Sequence, residues 1–362
     1  MNVNIDFLNK NKSQGEMANY IASQERMDPG HHRPFIGKDG RAYVSIYVGN
    51  GADPGKIESY QAIPINTNAT LRRDEWKSLD AALLAISEKR MGGIEDLISR
   101  GLIYNLGNAM GTTVLEWHSQ SDAMEADLTM DGVTRTQGDR PNYATNYLPI
   151  PIIHVDYEIN ARELAASRKL GNPLDTTSAE RAGRKVSEKL ENMLFTDTTY
   201  PFGGGTIYSY LNHPDRNLET LAQDWDASGK TGAEIRADVI NMKQASINKL
   251  HYGPWALYIP TAYETKMDED YDVSGASLMT IRERLLKIGG ITGIKVIDSL
   301  TANNVILAQM TSDVVRLVRG MGLTNVQWGV EGNMITKYKV MTIQVPQIRS
   351  DQDGNSGIVH LS

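Results

Sequence analysis

Not one cysteine occurs in the 362 residues of this chain. Disulfide staples, thiolate metal centres and thiol catalysis are thereby excluded together, and the chain suits assembly in a reducing cytoplasm. Long apolar runs are missing too. The longest, residues 148–153, is interrupted by Pro149 and Pro151 and falls far short of the roughly 18 residues that a membrane-crossing helix needs. Residues 1–6 carry neither the basic start nor the apolar stretch of a secretory signal. Lysine is absent between Lys89 and Lys169. The signatures of chemistry are equally scarce. The seven histidines form no HExxH, and the adjacent His31 and His32 suit a solvent-exposed arm better than a metal site. Gly203-Gly204-Gly205 is not followed by a lysine at P-loop spacing, and neither GxGxxG nor G-x-S-x-G occurs. Nothing singles out a catalytic pair among the 44 carboxylates. The expectation is a protein without cofactor or catalytic centre.

What is present fits a soluble globular chain of one elaborate domain or two, with 40% hydrophobic and 22% charged residues. The net charge is −7, and its distribution is uneven. In residues 111–150, Glu116, Asp122, Glu125, Asp127, Asp131 and Asp139 face only Arg135 and Arg140, a local excess of −4.

Residues 1–70 are punctuated by turn signals at Pro29-Gly30, Asp39-Gly40, Asn50-Gly51 and Asp53-Pro54-Gly55, with one strand expected at residues 41–48. Such a stretch drapes over other surfaces, its own chain's or a neighbour's, and builds no core. Trp76, Leu79, Leu83 and Ile86 then mark a helix face, broken at Gly92-Gly93 before a second helix with Ile94, Leu97 and Ile98. Strands are expected at residues 112–117 and 147–153, enclosing a polar segment with turns at Asp131-Gly132 and Gly138-Asp139. A two-stranded ribbon is marginal in water, so a long acidic hairpin implies a surface on which it lies. Thr177 with Glu180 reads as a capping box opening a long helix whose stripe is Ala179, Ala182, Val186, Leu190, Met193 and Leu194. Pro201 to Gly205 reads as a hinge. An α/β region follows: a second capping box at Thr231 and Glu234, a helix with Ile235, Val239, Met242 and Leu250, a buried strand at 255–259, a helix at 278–288, and strands at 294–297, 304–310 and 335–345.

Two charged groups stand out. Asp268, Glu269, Asp270 and Asp272 read as a solvated loop or, about a symmetry axis, as an acidic ring. Arg181, Arg184, Lys185 and Lys189 on the long helix are partly explained by i,i+4 pairs with Glu180 and Glu188, and otherwise offer a shallow basic face to nucleic acid.

The order of these parts resembles the major capsid proteins of tailed bacteriophages, the Hong Kong-type shell fold shared with bacterial encapsulins. The most specific stretch is Pro149-Ile150-Pro151-Ile152-Ile153-His154-Val155-Asp156-Tyr157-Glu158-Ile159, followed by Arg162-Glu163-Leu164, Gly171-Asn172-Pro173-Leu174-Asp175 and a helix ending Glu191-Asn192-Met193-Leu194-Phe195. Leu71-Arg72-Arg73-Asp74-Glu75-Trp76 and Gly253-Pro254-Trp255-Ala256-Leu257-Tyr258 are similar to further parts of that family. The resemblance covers roughly residues 71–345.

It implies an α+β capsid fold: an N-terminal arm at 1–70, a peripheral domain from 71–110, 153–205 and 336–362 with a spine helix at 175–197, an extended E-loop at 111–152, and an axial domain at 206–335. It further implies a structural subunit that forms pentamers and hexamers of a phage head around double-stranded DNA, bound without sequence preference. Such a protein assembles in the host cytoplasm, resides in the virion, and meets portal, scaffolding and decoration proteins rather than membranes. The acidic E-loop would dock on a neighbour, with Lys337 and Lys339 as candidate partners, and residues 268–272 would fall in an axial loop. The E-loop has no lysine, which argues against an isopeptide weld there, and the long arm favours a viral capsid over an encapsulin. An encapsulin-like compartment and a soluble α/β enzyme are the alternatives.

Overall fold

A computed structural model describes residues 33–47, 60–65, 71–90, 92–107, 109–120, 128, 130, 143–170, 176–271, 279–331 and 334–362. In chain order the strands are β1 (Phe35–Ile36), β2 (Ala42–Tyr47), β3 (Tyr60–Pro64), β4 (Ile103–Asn105), β5 (Val114–Gln120), β6 (Tyr143–Pro149), β7 (Ile153–Asn160), β8 (Tyr200–Phe202), β9 (Gly205–Ile207), β10 (Asn217–Glu219), β11 (Trp255–Pro260), β12 (Ile291–Ile297), β13 (Val305–Gln309), β14 (Val315–Glu331), β15 (Ile335–Ile348) and β16 (Ile358–Leu361). The helices are α1 (Arg73–Arg90), α2 (Gly92–Ser99), α3 (Ala161–Leu170), α4 (Thr177–Phe195), α5 (Gly232–Asn248), α6 (Glu264–Met267) and α7 (Ile281–Leu286).

Two mixed sheets organise the core. The first has the order β10-β16-β13-β11-β12 and its strand β11 is buried throughout. The pleat sends alternate side chains to opposite faces. Trp255, Leu257 and Ile259 join Ile235, Val239 and Met242 of α5 and Ile281 and Leu285 of α7 on one side. Ala256 and Tyr258 face Leu194 and Phe195 of α4 and Ile94 and Leu97 of α2 on the other. The α5 cap forms as its spacing predicts: Thr231 and Glu234 make both hydrogen bonds of the capping box.

The second sheet, β4-β14-β15-β7, lies against α4. Val155, Tyr157 and Val340 pack with α4 residues Ala182, Val186 and Leu190. Its opposite face carries Val318, Met321, Ile343 and Val345, which are covered by Leu148 and Ile150 near the foot of the β5–β6 ribbon and by Ile207 of β9. A boundary at 335/336 therefore falls within one hairpin, because β14 and β15 pair along most of their length. The segment 336–362 is itself divided: β15 belongs to the second sheet and β16 to the first.

Several expectations need correction. The cap of α4 is Thr176, without a side-chain cap bond, and its hydroxyl donates instead to Glu180 Oε1 at 2.7 Å. Residues 201–205 are no hinge but part of the β8–β9 hairpin, whose turn is Gly203-Gly204, both at positive φ as such turns require. Gly205 passes so close to the Tyr147 carbonyl that a β-carbon would overlap it, which seats this hairpin on β6. The strand expected at 147–153 is the junction of two: Pro149 and Pro151 lack the N–H that a continuous ladder needs, so β6 ends and β7 begins. Leu250 lies beyond α5, exposed and at φ +63°. The helix expected at 278–288 shortens to α7, while Leu278 lies outside the described residues.

Of the expected arm, residues 33–47 and 60–65 form the three-stranded sheet β1-β2-β3. It lies on its own chain: Arg33 makes two hydrogen bonds to Asp80 of α1 at 2.7 and 2.8 Å and stands 5.0 Å over the Trp76 ring. The rest of residues 1–70 lies outside the description.

Candidate functional site

Among the described residues, no group of three His, Cys, Asp or Glu is placed to hold a metal ion. The surfaces that matter are those on which the sequence placed charge.

The ribbon comes first. β5 and β6 pair antiparallel without a bulge from Val114–Pro149 out to Gln120–Tyr143. Alternation puts Glu116 and Tyr147 on one face as direct partners and His118 with Thr145 beside them. All four are exposed, as is Tyr143. Asp122, Glu125, Asp127, Asp131, Arg135, Asp139 and Arg140 lie outside the described residues.

Lys337 and Lys339 stand on the outer face of β15, in register with Glu158 and Asp156 of β7. Lys339 Nζ lies 3.5 Å from Asp156 Oδ1. Both ammonium groups also approach the Trp328 ring of β14, at 5.8 Å for Lys337 and 4.9 Å for Lys339. Trp328 is itself 52% exposed. The result is an aromatic platform with paired charges of both signs rather than two unengaged lysines. Sequence alone marked the lysines and missed the tryptophan, whose position opposite them depends on the β14–β15 register.

The acidic loop follows α6. Asp268 accepts from Arg282 at 3.1 Å and Glu269 from Lys266 at 2.6 Å, while both stay exposed along with Asp270. Asp272 lies outside the described residues.

On α4, Arg181, Arg184, Lys185 and Lys189 are all exposed and share one side of the helix. Glu188 pairs with Arg184 at 2.9 Å and Lys185 at 2.7 Å, and the hydrogen bond from Lys185 holds its carboxyl below the ordinary glutamate range. Arg181 and Lys189 have no ion-pair partner among the described residues. The opposite side buries Ala179, Ala182, Val186, Leu190 and Leu194, and also Glu191, which is not part of the apolar stripe read from the sequence.

Glu191 lies at the floor of a cleft of about 430 Å³ lined by Gly92, Arg184, Glu188, Asn192, Asp298 and Ser299 among others. Its carboxylate accepts the N–H groups of Gly93 at 2.8 Å and Ile94 at 3.3 Å, so that it caps α2. Burial pushes its pKa up, the two backbone bonds oppose that, and the charges of Asp298 and Glu95 add to the rise. Beneath it, Tyr258 donates to the buried Asp96 at 2.9 Å and the Phe195, Tyr210 and Tyr258 rings meet. This network ties α2, α4 and the first sheet together.

Three comparisons place this arrangement among known proteins. A family model described as "Family of unknown function (DUF6260)" matches residues 66–361. A diheme-cytochrome-encapsulin shell fusion protein of Kuenenia stuttgartiensis is 22% identical over 274 residues, 76% of this chain and 67% of the relative. Among solved structures, the virus-like particle from Pyrococcus furiosus superposes with a TM-score of 0.58 at 22% identity, over 79% of this chain and 99% of its own. The capsid of Myoviridae Phage XM1 gives 0.55 at 11% identity, over 73% and 90%. The chain has the Hong Kong-type fold of phage capsids and encapsulin-like particles, an α+β architecture.

Proposed function

The chain belongs to the DUF6260 family, and from that premise and its fold we propose that it is a structural shell subunit, the major capsid protein of a tailed-phage head. One observation carries this reading. The superposition runs over 99% of the chain of a virus-like particle and 90% of the chain of a phage capsid, so the resemblance is to whole shell-forming subunits.

In this reading the second sheet with α4 is the peripheral domain, α4 its spine, residues 111–152 the E-loop, and the first sheet with α5 and α7 the axial domain. Pentamers and hexamers of the chain enclose double-stranded DNA, which meets Arg181, Arg184, Lys185 and Lys189 through its backbone charge alone. Asp268, Glu269, Asp270 and Asp272 lie near the capsomer axis. The carboxylates of the E-loop dock on a neighbouring copy, with the Trp328, Lys337 and Lys339 platform as the receiving surface. A portal, a scaffolding protein and a decoration protein are the accessory partners that a head of this kind implies. It assembles in the host cytoplasm and ends in the virion.

An encapsulin-like compartment is the second reading, favoured by the 22% identity to an encapsulin shell fusion protein over 76% of this chain. Electron microscopy of the purified protein tests the shell, and nuclease-protected DNA inside the particles separates the two readings. Monodisperse monomers under all assembly conditions would remove both.

A further inference from the structure

One end of the β14–β15 hairpin carries a cluster that the surfaces above leave unexplained. Arg316 of β14 lies opposite Gln347 of β15, and Arg349 follows two residues after Gln347, so all three project from the same side of the sheet. The Arg316 guanidinium lies 4.3 Å from the centroid of the Tyr104 ring, and that of Arg349 lies 5.0 Å from the Trp117 ring on β5. These faces hold both cations in place without neutralising them.

The cluster is rich in donors and poor in acceptors. Arg316 Nε donates to Gln347 Oε1 at 2.6 Å. Gln347 has no exposed surface, yet its Nε2 has no acceptor among the described residues, and neither has the buried Nε of Arg349. Neither guanidinium has a carboxylate partner among the described residues. Burial, with the charge of Arg349 adding to it, lowers the proton affinity of Arg316. Like charges brought together and buried donors left unmatched are each unfavourable, and one group of opposite sign with several lone pairs relieves both.

We propose that Arg316, Gln347 and Arg349 form an oxyanion-binding site whose ligand is a carboxylate or phosphate group. Guanidinium forks match the paired oxygens of such groups, whereas a halide offers a single centre. The group has two possible sources, a free anion of the solution or an acidic side chain of a second copy of this chain. The site itself does not depend on the shell reading, since the same residues face the same shortage of acceptors in an isolated chain.

The test is thermal unfolding of the purified full-length chain in rising inorganic phosphate, with ionic strength held constant by sodium chloride. The wild-type midpoint is expected to climb with the logarithm of phosphate concentration, as for any ligand bound by the folded state alone. Arg316→Gln should shrink the climb and the Arg316→Gln/Arg349→Gln pair should abolish it. The double variant's own midpoint without phosphate is the baseline for its climb, because it also loses the Arg316–Gln347 hydrogen bond and both ring contacts, and this separates a lost ligand from a lost contact. Equal responses of wild type and double variant, or no response beyond that to chloride, would overturn the proposal. Size-fractionated protein distinguishes the sources. Should particles respond to phosphate as subunits do, the ligand is a free anion. Should subunits respond while particles do not, and the double variant lose particles, a second copy supplies the group.

Discussion

The carboxylate of Glu191 on α4 accepts the N–H of Gly93, 98 residues earlier in the chain, and so caps a helix that belongs to a different part of the sequence. The close approach depends on Gly93 having no side chain. A β-carbon there would run into the Phe195 ring, which itself packs against Tyr210 and Tyr258. Gly93→Ala should therefore destabilise the fold by about 1–3 kcal/mol through overpacking. At the neighbouring Gly92 the nearest atom to an added β-carbon is 3.7 Å away, and Gly92→Ala should stay within about 0.5 kcal/mol. Urea unfolding of the two variants makes the comparison, and equal losses would refute it.

Glu191 also gives stability a pH dependence. Its pKa is raised in the fold, chiefly by burial, so between the ordinary glutamate value and the raised one the folded state binds more protons than the unfolded. Stability then falls as pH rises through that window. Glu191→Gln should lack this slope, whereas Glu191→Ala, which leaves two N–H groups unmet, should lose about 1–3 kcal/mol. Denaturation midpoints of wild type and Glu191→Gln across mildly acidic pH check the sign. Parallel curves would contradict it.

His213 and His360 act in the opposite direction. Burial lowers each from the ordinary 6.5 to about 4, and for His360 the Arg216 charge adds to this. The unfolded chain takes up these protons first, so their contribution is complete above about pH 6.5 and is lost as pH falls towards 4. Imidazole resonances followed by NMR should titrate near pH 4 for both.

Assembly should weaken with salt if the acidic hairpin meets the Trp328, Lys337 and Lys339 platform, because exposed charges are screened within about 8 Å at physiological ionic strength. Replacing both lysines by glutamate should reduce particle yield while leaving the subunit folded, as judged by circular dichroism. Undiminished shells from that double variant would exclude the platform as the receiving surface.

Legibility from sequence followed the range of the forces involved. The Thr231–Glu234 capping box and the buried strand at 255–259 rest on neighbours in the chain, and both stand in the structure. β14 rests on its partner. Its alternation is interrupted at Gly320, Gly322 and Gly329 and by register shifts between Arg319 and Met321, Met321 and Thr324, and Gln327 and Gly329, so no period of two survives in the residues. Glu191 looked like any surface glutamate because the N–H groups that hold it are contributed from far away. The glycines at 203–205 could serve a hinge or a turn, and only the packing of Gly205 on Tyr147 decides between them. Arg316 and Arg349 gave no signal, being ordinary in composition and unusual only in their company.

The alternation of the late strands between the two sheets bears on mechanics. β13 in the first sheet is joined to β14 in the second by residues 310–314, and β15 returns through residues 349–357 to β16, which lies inside the first sheet between β10 and β13. A flexible joint in a protein usually runs through one or two isolated strands of chain, each free to twist. Here two short crossings lie side by side and α4 packs against both sheets, so a torque applied to one sheet is delivered to the other instead of being absorbed between them. Any change in the curvature of an assembly of such subunits would therefore be taken up by parts outside this pair of sheets.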